Sequence, residues 1–408
     1  MALPSEASVV VIGGGVIGTS VAYHLARAGW RDILLVERHQ IGSGTTWHSA
    51  GNIALATEDP VGLRLQRYAL DLFPELEVET GLSVGWRSSG RIILLRSPAS
   101  LARGKRILEQ GRAQGVEMEL LSGAEAGARL PVVKIDDVGH ALWIPAAGKL
   151  SPTDLTAVFA RAARGRGVEI VENTKVTGFD LNAGKMRAVK TTEGSIRTDI
   201  IVNCAGVWAR GLGALVGVAV PIAANEHFYL LTDPVEGVTP SLPSFRDGDS
   251  LIYGREESGG LLIGVFDEDA KTINLDHLPA DFSFGLLSER WDKIDPYLAE
   301  ITRRIPVLDR VPIKAFINGP EGFTVDDRFI VGEAPGVKGY FVCAGMNSGG
   351  ITYSAGFGRL ISEWIVEGKP SEDISRHDIA RFQGHEAGDP YLSDRAPDLT
   401  SSHYRFVR

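Results

Sequence analysis

The hydrophobic pattern changes period within the first 36 residues of the chain. Residues 8–12 (SVVVI) form an unbroken, largely β-branched run, which is typical of a strand buried in a parallel sheet. Apolar residues then recur with a helical period as far as Ala28, and a second apolar run, 32–36 (DILLV), follows. The pattern predicts a strand, a helix and a second strand.

The turn between the first strand and the helix is rich in glycine. Gly13, Gly15 and Gly18 match the spacing GxGxxG. In that motif the first glycine allows a tight turn, the second lets a pyrophosphate approach the backbone, and the third lets helix and strand pack closely. The second strand ends in Glu37, where an acidic side chain is placed to bind the adenosine ribose. These features predict a dinucleotide-binding site; the alternative is a glycine-rich turn in an unrelated α/β fold.

Two later stretches repeat the combination of an apolar strand and a glycine-containing turn. They are 198–208 (TDIIVNCAGVW) and 339–354 (GYFVCAGMNSGGITYS). We expect both to return to the carboxyl edge of the same sheet, where open α/β sheets bind ligands. No second GxGxxG occurs where a nicotinamide-binding domain would need one, so the sequence favours FAD over NAD(P)H.

The central part of the chain has a different pattern. Residues 225–231, 250–254 and 261–266 alternate or run apolar like antiparallel strands, and 256–260 (EESGG) closes the last two into a hairpin. Residues 101–114 fit an amphipathic surface helix whose charges are solvated. These patterns predict a separate sheet that lies over the cofactor.

The two kinds of pattern alternate along the chain, and no internal repeat or long linker separates them. We therefore predict an α/β fold in which a Rossmann-like FAD-binding domain is interleaved with an antiparallel-sheet substrate domain. The predicted bounds are 1–82, 148–222 and 323–370 for the FAD-binding domain, 83–147 and 223–322 for the substrate domain, and 371–408 for a polar, extended C-terminal tail.

Composition and charge exclude several classes of protein. The 408 residues include 48 glycines, about 12% against a usual ~7%, which indicates many tight turns or close backbone contacts. A formal charge of −9 disfavours nucleic acids and anionic membranes as partners. Cys204 and Cys343 are far apart in sequence, so neither a disulfide scaffold nor a metal site is predicted. Without a recognisable signal peptide or membrane-spanning segment, we expect a cytoplasmic protein.

Five segments stand out as longer motifs: 45–51 (TTWHSAG), 225–229 (NEHFY), 252–256 (IYGRE), 318–324 (NGPEGFT) and 345–348 (GMNS). They resemble the flavin-dependent amine oxidoreductases of the D-amino-acid-oxidase superfamily, and within it the dimethylglycine and sarcosine dehydrogenase (oxidase) group. The similarity runs from about residue 8 to 370. Members of the group often continue into a tetrahydrofolate-binding domain, and we expect a form without it because the sequence stops near the start of that domain.

The resemblance implies which residues hold the cofactor and the substrate. His48 matches the histidine that binds FAD covalently at its 8α carbon. His227 and Tyr253 match positions that the group uses beside the flavin for the substrate amine, and we predict that they are catalytic. The predicted cofactor-binding residues are Gly13, Gly15, Val16, Ile17, Gly18, Glu37, Arg38, Gly44, Thr45, Thr46, Trp47, His48, Ser49, Ala50, Gly51, Asn52, Val176, Ala205, Gly206, Trp208, Gly345, Met346, Asn347, Ser348, Gly349, Gly350 and Ile351.

Several of these residues also have a structural interpretation. From the residues alone, a loop histidine such as His48 is more often a surface group, a strand histidine such as His227 a structural one, and Tyr253 a core aromatic. Imidazole titrates near neutrality, which suits a group that takes the proton of a substrate ammonium. Arg255 and Arg328 are candidates for binding a substrate carboxylate, because guanidinium binds it bidentately, although most arginines are surface groups.

The resemblance implies FAD-dependent oxidative demethylation of an N-methylated amino acid or amine, such as dimethylglycine or sarcosine. Water would hydrolyse the imine product to the demethylated amine and formaldehyde, and the electrons would pass to O₂ or to an electron-transfer protein. Two alternatives stay open. One is oxidation of a D-amino or cyclic imino acid, and the other is a flavoprotein subunit with little activity outside a larger complex.

Overall fold

The computed structural model describes residues 3–270 and 272–385, and within them it contains nineteen strands and eight α-helices. The strands are β1 (Val9–Ile12), β2 (Ile33–Val36), β3 (Asn52–Ile53), β4 (Arg91–Leu95), β5 (Glu119–Ser122), β6 (His140–Ile144), β7 (Gly148–Lys149), β8 (Glu169–Val171), β9 (Val176–Asn182), β10 (Lys185–Thr191), β11 (Gly194–Arg197), β12 (Ile201–Asn203), β13 (Ile222–Thr232), β14 (Ser244–Asp247), β15 (Ile252–Glu257), β16 (Gly260–Val265), β17 (Ile313–Thr324), β18 (Ile330–Glu333) and β19 (Tyr340–Ala344). The helices are α1 (Val16–Arg27), α2 (Pro60–Thr80), α3 (Pro98–Ala113), α4 (Gly123–Arg129), α5 (Pro152–Gly165), α6 (Ala209–Ala214), α7 (Trp291–Arg304) and α8 (Gly350–Glu367).

Six strands form the sheet that the N-terminal pattern predicts. Their order is β18-β19-β12-β1-β2-β8, and neighbours are parallel except that β18 is antiparallel to β19. All four residues of β1 are buried, because apolar cores cover both faces of the sheet. Burial on both faces explains why this strand is apolar without alternation. The predicted α/β, Rossmann-like fold class is confirmed.

Elements from distant parts of the chain cover the two faces of this sheet. On one face α1 packs against α5 and α8, with Phe159 and Phe357 in the shared core. On the other face the three-stranded sheet β11-β10-β9 contributes Met186 and Val189 to a second core. Because β1 and β19 run in the same direction, the turn after β1 and the loop before α8 lie at the same edge.

The second large sheet has the strand order β17-β13-β16-β15-β14-β4-β6-β5. Its neighbouring strands are antiparallel except β14 and β4, which are parallel. The predicted hairpin is confirmed, since Arg255 of β15 pairs with Leu262 of β16. The predicted amphipathic helix is α3, with Ile107 and Leu108 on its buried side.

The two faces of this eight-stranded sheet have different neighbours, and alternate residues of each strand point to opposite faces. The outer face, which includes Ile92 and Phe245, packs against Ala126 of α4 and Ile294 of α7. The inner face includes Tyr253, and Ala50 from the loop after β2 packs against it. A site between the two large sheets is therefore lined by the inner face.

Residues 371–385 pack against the six-stranded sheet. Ile374, Ile379 and Phe382 are buried, and the guanidinium of Arg381 donates to the carboxylate of Asp326 at 2.7 Å. The prediction of an extended tail is wrong for this part, because a few apolar residues among the polar ones anchor it; residues 386–408 lie outside the described residues. None of the helices that the structure describes is long and apolar enough to cross a membrane.

Candidate active site

The glycine turn after β1 is shaped by close backbone contacts. Gly13 has a φ of +108°, and a Cβ there would lie 2.6 Å from the carbonyl oxygen of Cys204. A Cβ on Gly18 would lie 1.9 Å from the carbonyl oxygen of Gly13, so this glycine lets α1 pack directly on the turn. Gly15 caps α1, leaving the positive N-terminus of the helix at the edge of the sheet. The backbone thus has the form that the motif predicts.

Glu37 holds this turn in place. Its carboxylate accepts hydrogen bonds from the amide of Gly14 at 2.7 Å and from the amide of His39 at 2.8 Å. The chain before β9 lies beside it, because the amide of Thr174 donates to the carbonyl of Glu37 at 2.8 Å, and the predicted Val176 follows two residues later. The contact of Glu37 with a ribose stays a prediction.

Arg38 and Trp208 bring two predicted segments together. The guanidinium carbon of Arg38 lies 3.8 Å from the ring centroid of Trp208, a cation–π contact, and burial lowers the pKa of Arg38. Gly44 allows the same indole to approach, since a Cβ there would lie 3.3 Å from it. Ala205 and Gly206 precede Trp208 in the turn after β12, so they reach the same edge as the glycine turn.

The loop 44–52, which contains the TTWHSAG motif, is fixed to α1 and to the eight-stranded sheet. The hydroxyl of Thr46 accepts from the amide of Val16 at 3.2 Å, at the start of α1. The hydroxyl of Thr45 donates to the carbonyl of Pro320 at 2.9 Å, and Arg255 donates to the carbonyl of Ala50 at 2.7 Å. Ser49 and Gly51 lie between these anchors, and Asn52 continues into β3. The loop is therefore held between α1 and the eight-stranded sheet.

His48 is buried within this loop, and its Nε2 has no hydrogen-bond partner among the described residues. Burial is the main cause that lowers the pKa of His48 to about 4; nearby Glu321 opposes the shift, whereas His227 adds to it. The ring lies on Gly319 of β17, where a Cβ would be 2.5 Å from Nε2. Trp47 packs edge-on at a centroid distance of 5.7 Å. The result is a neutral imidazole with an unused buried nitrogen.

The loop before α8 carries the last predicted segment, 345–351. Asn347 and Ser348 have φ values of +41° and +63°, which are strained for residues other than glycine and are typical of ligand-binding loops. The side-chain oxygen of Asn347 accepts from the amide of Thr324 at 2.8 Å, and the hydroxyl of Ser348 donates to Glu321 at 2.6 Å. The strained loop and the N-terminus of α8 thus face the end of β17.

His227 and Tyr253 meet on the inner face. The Nε2 of His227 lies 3.2 Å from the hydroxyl of Tyr253, and the two rings are parallel with centroids 6.2 Å apart. The Nδ1 of His227 lies 3.9 Å from a carboxylate oxygen of Glu321. Burial raises the pKa of Tyr253, so its phenol stays protonated. Gly264 makes room for this ring, because a Cβ there would lie 2.0 Å from Tyr253 Cζ.

The arginines differ from the sequence-based expectation. Arg255 is already engaged by Glu257 and by the carbonyls of Ala50 and Glu256, and Arg328 is exposed. Neither has the buried, unengaged guanidinium that a carboxylate site needs.

Sequence reasoning missed charged residues that line the inner face, among them Arg91, Arg246 and Glu321. Arg91 begins β4 and is 6% exposed. The one signal in the sequence is a single charge at the start of an apolar strand (RIILL), and a charge in that position is normally solvated. Glu321 lies within the NGPEGFT motif, so the motif marked its segment without giving its role.

The chemistry of these residues fits FAD. Two helix N-termini and a glycine turn at one sheet edge suit a pyrophosphate. The Nε2 of His48, which has no partner among the described residues, lies against Gly319 of the eight-stranded sheet. Beside it, an imidazole and a phenol form a polar pair in apolar surroundings. Fold and site together define a flavin-dependent oxidoreductase.

Comparison with known proteins agrees. The sequence profile of the family described as "FAD dependent oxidoreductase" matches residues 8–364. The chain belongs to this family.

Two curated relatives and one solved structure illustrate the similarity. The chain is 36% identical to mitochondrial sarcosine dehydrogenase of Homo sapiens, over 99% of this chain and 45% of that protein. It is 34% identical to 4-methylaminobutanoate oxidase (formaldehyde-forming) of Paenarthrobacter nicotinovorans, over 97% of this chain and 48% of that protein. L-proline dehydrogenase from P. horikoshii superposes with a TM-score of 0.83 and 26% identity, over 93% of this chain and 99% of that one. The chain thus spans less than half the length of both curated relatives.

Proposed function

We propose that this chain oxidises the C–N bond of an N-methylated amino acid or amine, such as dimethylglycine or sarcosine, with release of formaldehyde. The observation that supports this most directly is the pair of His227 and Tyr253, 3.2 Å apart on the inner face. This pair lies next to His48, since His227 is opposite Gly319 in the sheet and the His48 ring lies on Gly319. The names of the two curated relatives point to the same chemistry.

The residues of the site have complementary roles in this reaction. Bound FAD supplies the acceptor for two electrons. A substrate ammonium has no lone pair, so it must lose a proton before its C–H bond breaks as hydride to leave an iminium; His227 takes that proton. Glu321, 3.9 Å from His227, stabilises the imidazolium that forms, and the Tyr253 hydroxyl positions the amine. Water then adds to the iminium carbon, and the C–N bond breaks to give formaldehyde and the demethylated amine.

The cofactor would be held by residues at the edge shared by β1 and β19. In this proposal the glycine turn binds the pyrophosphate, Glu37 the ribose, and the segments 44–52 and 345–351 the flavin. We further propose that His48 binds the flavin covalently at its 8α carbon. Its low pKa keeps the imidazole neutral at physiological pH, as a nucleophile must be, and its Nε2 has no other partner among the described residues.

Anaerobic titration tests the reaction. Purified holoenzyme is mixed with sarcosine, dimethylglycine and 4-methylaminobutanoate while flavin absorbance is followed, and formaldehyde is then quantified. We expect bleaching of the flavin by at least one of these compounds, with one formaldehyde released per flavin reduced. Bleaching without formaldehyde would contradict demethylation, and absence of bleaching by the whole panel would contradict the proposal.

Acid precipitation tests the bond to His48. The wild-type pellet should keep its yellow colour, whereas the His48→Ala variant should release the flavin into the supernatant. A colourless pellet from fully loaded wild-type protein contradicts the covalent bond alone. Gly15→Val tests the site itself, because a branched side chain would occupy the space predicted for the pyrophosphate. Stoichiometric FAD in a folded Gly15→Val variant would show that the cofactor assignment is wrong.

A second candidate substrate is a cyclic imino acid. The observation that favours it is the similarity to a structure named L-proline dehydrogenase. Oxidation of a ring C–N bond releases no formaldehyde, so the titration above separates the two candidates. The electron acceptor, a partner subunit and a cytoplasmic location stay predictions.

A further inference from the structure

Glu321 is a carboxylate on the inner face, next to the proposed catalytic pair. It lies on β17 two residues after Gly319, which is opposite His227 of β13. Residues two apart in a strand point to the same face, so Glu321 and His227 share the inner face. Only 16% of its side chain is exposed. Burial is the main cause of the pKa shifts of His48 and Tyr253, and the charge of Glu321 acts on both groups.

The loop before α8 fixes the position of this carboxylate. The hydroxyl of Ser348 donates to the Oε2 of Glu321 at 2.6 Å, a length typical of a hydrogen bond to an ionised oxygen. The same Oε2 lies 3.9 Å from the Nδ1 of His227. Ser348 belongs to the segment 345–351, so the loop proposed to bind the flavin also orients the carboxylate towards the imidazole.

The two ring nitrogens of His227 have unlike neighbours. A neutral imidazole carries a proton on one nitrogen and a lone pair on the other, and the groups around it decide which. The hydroxyl of Tyr253 lies 3.2 Å from Nε2, and because burial raises the pKa of Tyr253 this phenol keeps its proton and can donate it. The neighbour of Nδ1 is the carboxylate of Glu321, which when ionised can only accept. Both neighbours therefore favour the tautomer with its proton on Nδ1.

This tautomer is the one that the proposed reaction needs. Because Nε2 is the nitrogen beside the Tyr253 hydroxyl, it faces the proposed amine site. An Nε2 that already carries a proton has no lone pair and cannot act as a base. Once Nε2 has accepted the proton of the ammonium, His227 is an imidazolium. Its attraction to Glu321 can then close the 3.9 Å separation, which is longer than a hydrogen bond.

We propose that Glu321 is a positioning residue that holds His227 in the tautomer protonated at Nδ1, so that Nε2 is available as the base. The inference rests on the proposed function and states what prepares its base. In the proton-transfer step the ammonium proton moves to Nε2, the electron pair of the broken N–H bond stays on the substrate nitrogen, and the proton on Nδ1 stays in place. Glu321 acts through His227 and takes no proton itself.

The tautomer can be measured without turnover. Holoenzyme is labelled with ¹⁵N-histidine, and the ring nitrogen signals are recorded at about pH 9, where an ordinary imidazole is neutral. The signals of His227 are those that disappear in His227→Ala. In the wild type we expect the protonated nitrogen to be Nδ1. In Glu321→Gln the side-chain NH₂ group can donate to Nδ1, so we expect the proton to move to Nε2 in a large share of the molecules.

Two further variants complete the measurement. Glu321→Met leaves no polar side-chain atom beside Nδ1, so it should also weaken the preference, whichever way the glutamine amide is turned. The matched control is Glu226→Gln, the same chemical change one residue before His227. Glu226 points to the opposite face, where its carboxylate accepts from Arg290 at 2.7 Å. This control should leave the tautomer and the rate of flavin reduction unchanged.

Anaerobic reduction by the N-methyl compound that bleaches the flavin fastest gives the second readout. At saturating substrate, Glu321→Gln should reduce its flavin about 10- to 100-fold more slowly than the wild type. The loss stays at the low end for a general base because some molecules keep the productive tautomer. The substrate concentration for half-maximal rate should stay nearly constant, since only the proton-transfer step is affected. Flavin in acid-precipitated protein should also be unchanged, which separates positioning of the base from loss of the cofactor.

Three outcomes would overturn the proposal: a proton on Nε2 of His227 in the wild type, the same tautomer in the wild type and both Glu321 variants, or reduction of Glu321→Gln at the wild-type rate. If the tautomer depends on Glu321 but no N-methyl compound reduces the flavin, the positioning role stands and the proposed function fails. If the wild type and Glu321→Gln release formaldehyde equally fast, the function stands and the positioning role fails.

Discussion

The two faces of the eight-stranded sheet each bury an arginine, and the two arginines have opposite surroundings. On the outer face Arg304 is fully buried, with one terminal nitrogen 2.7 Å from Asp137 and the other 2.9 Å from Asp247. On the inner face Arg91 is almost as buried but has no carboxylate beside it among the described residues. Two carboxylates of the fold neutralise the charge of Arg304, whereas no carboxylate among the described residues neutralises that of Arg91.

The same difference separates two buried histidines. His24 of α1 uses both ring nitrogens, one within 2.7 Å of the carbonyl of Ser20 and the other within 3.0 Å of the hydroxyl of Tyr68. The Nε2 of His48 has no partner among the residues described. The two histidines therefore differ in how far the fold satisfies them, and the nitrogen of His48 without a partner among the described residues is the atom that the proposed covalent bond would use.

The largest effect should come from removing the guanidinium of Arg304, which is paired with two carboxylates. Arg304→Met leaves the carboxylate of Asp247 buried, and we expect a loss of about 3 kcal/mol in the free energy of unfolding. This is the low end for a broken buried pair, because Arg96 stays 3.4 Å from Asp247. Urea unfolding measures the loss. Arg91→Met is the matched variant and should be neutral or stabilising, since it removes a charge without stranding another; equal destabilisation of both variants would remove the distinction between the faces.

The next effect concerns the polar pair on the inner face. His227→Ala should slow anaerobic flavin reduction by about 10²-fold and change its pH profile, because a general base is lost. Tyr253→Phe should mainly weaken substrate binding. Rapid-mixing measurements from pH 6 to 9 check both variants. A His227→Ala variant that reduces its flavin at the wild-type rate at every pH would return this histidine to a structural role.

A smaller effect should follow from adding a methyl group at Gly319, where the absence of a side chain leaves room for the His48 ring. In Gly319→Ala the new Cβ would lie 2.5 Å from the His48 ring, so the ring must move. We expect a several-fold drop in covalently bound FAD, measured as flavin in acid-precipitated protein. Gly178→Ala on β9 is the control, because the nearest atom to its Cβ, on Lys190, would be 3.8 Å away. Full covalent loading of Gly319→Ala would show that the position of this ring is not critical.

The smallest expected effect is the contribution of Asp137, beside the outer face, to the pH dependence of the free energy of unfolding. Burial alone would raise the pKa of Asp137, but the hydrogen bond from Arg304 and the charges of three arginines lower it from 3.8 to about 2. The stabilisation is therefore complete above pH ~4 and is lost as the pH falls towards 2. Asp137 is one-third exposed, so we expect only about 1 kcal/mol. Arg304→Met should reduce this part of the acid dependence in urea titrations, although Arg96 and Arg303 each stay 3.0 Å from Asp137. An unchanged acid slope would contradict the prediction.

The sequence was sufficient for the fold because the signals are local. β1, the glycine turn and α1 are contiguous, and the sterics of Gly13 and Gly18 require glycine at those positions. Arg91 and Arg255 show what the local sequence cannot predict, which is the set of groups that surround a buried side chain. Both are charged residues in apolar strands, and only the pairing of strands reveals that Arg255 meets Glu257 and Ala50 while Arg91 meets no carboxylate among the described residues. Register depends on contacts between distant segments, so the surroundings of Arg91 were not visible in the sequence.

The strand order of the six-stranded sheet also determines how much of the chain must be synthesised before the sheet can be completed. β1 is made first, but its neighbour β12 begins at Ile201 and the next strand, β19, ends at Ala344. A ribosome must therefore deliver more than three hundred residues before the central strands have their partners. The edge proposed to receive FAD is completed only then, so cofactor capture is a late event in the life of the nascent chain. Until β12 has been made, β1 presents an unpaired apolar edge that a chaperone would have reason to cover.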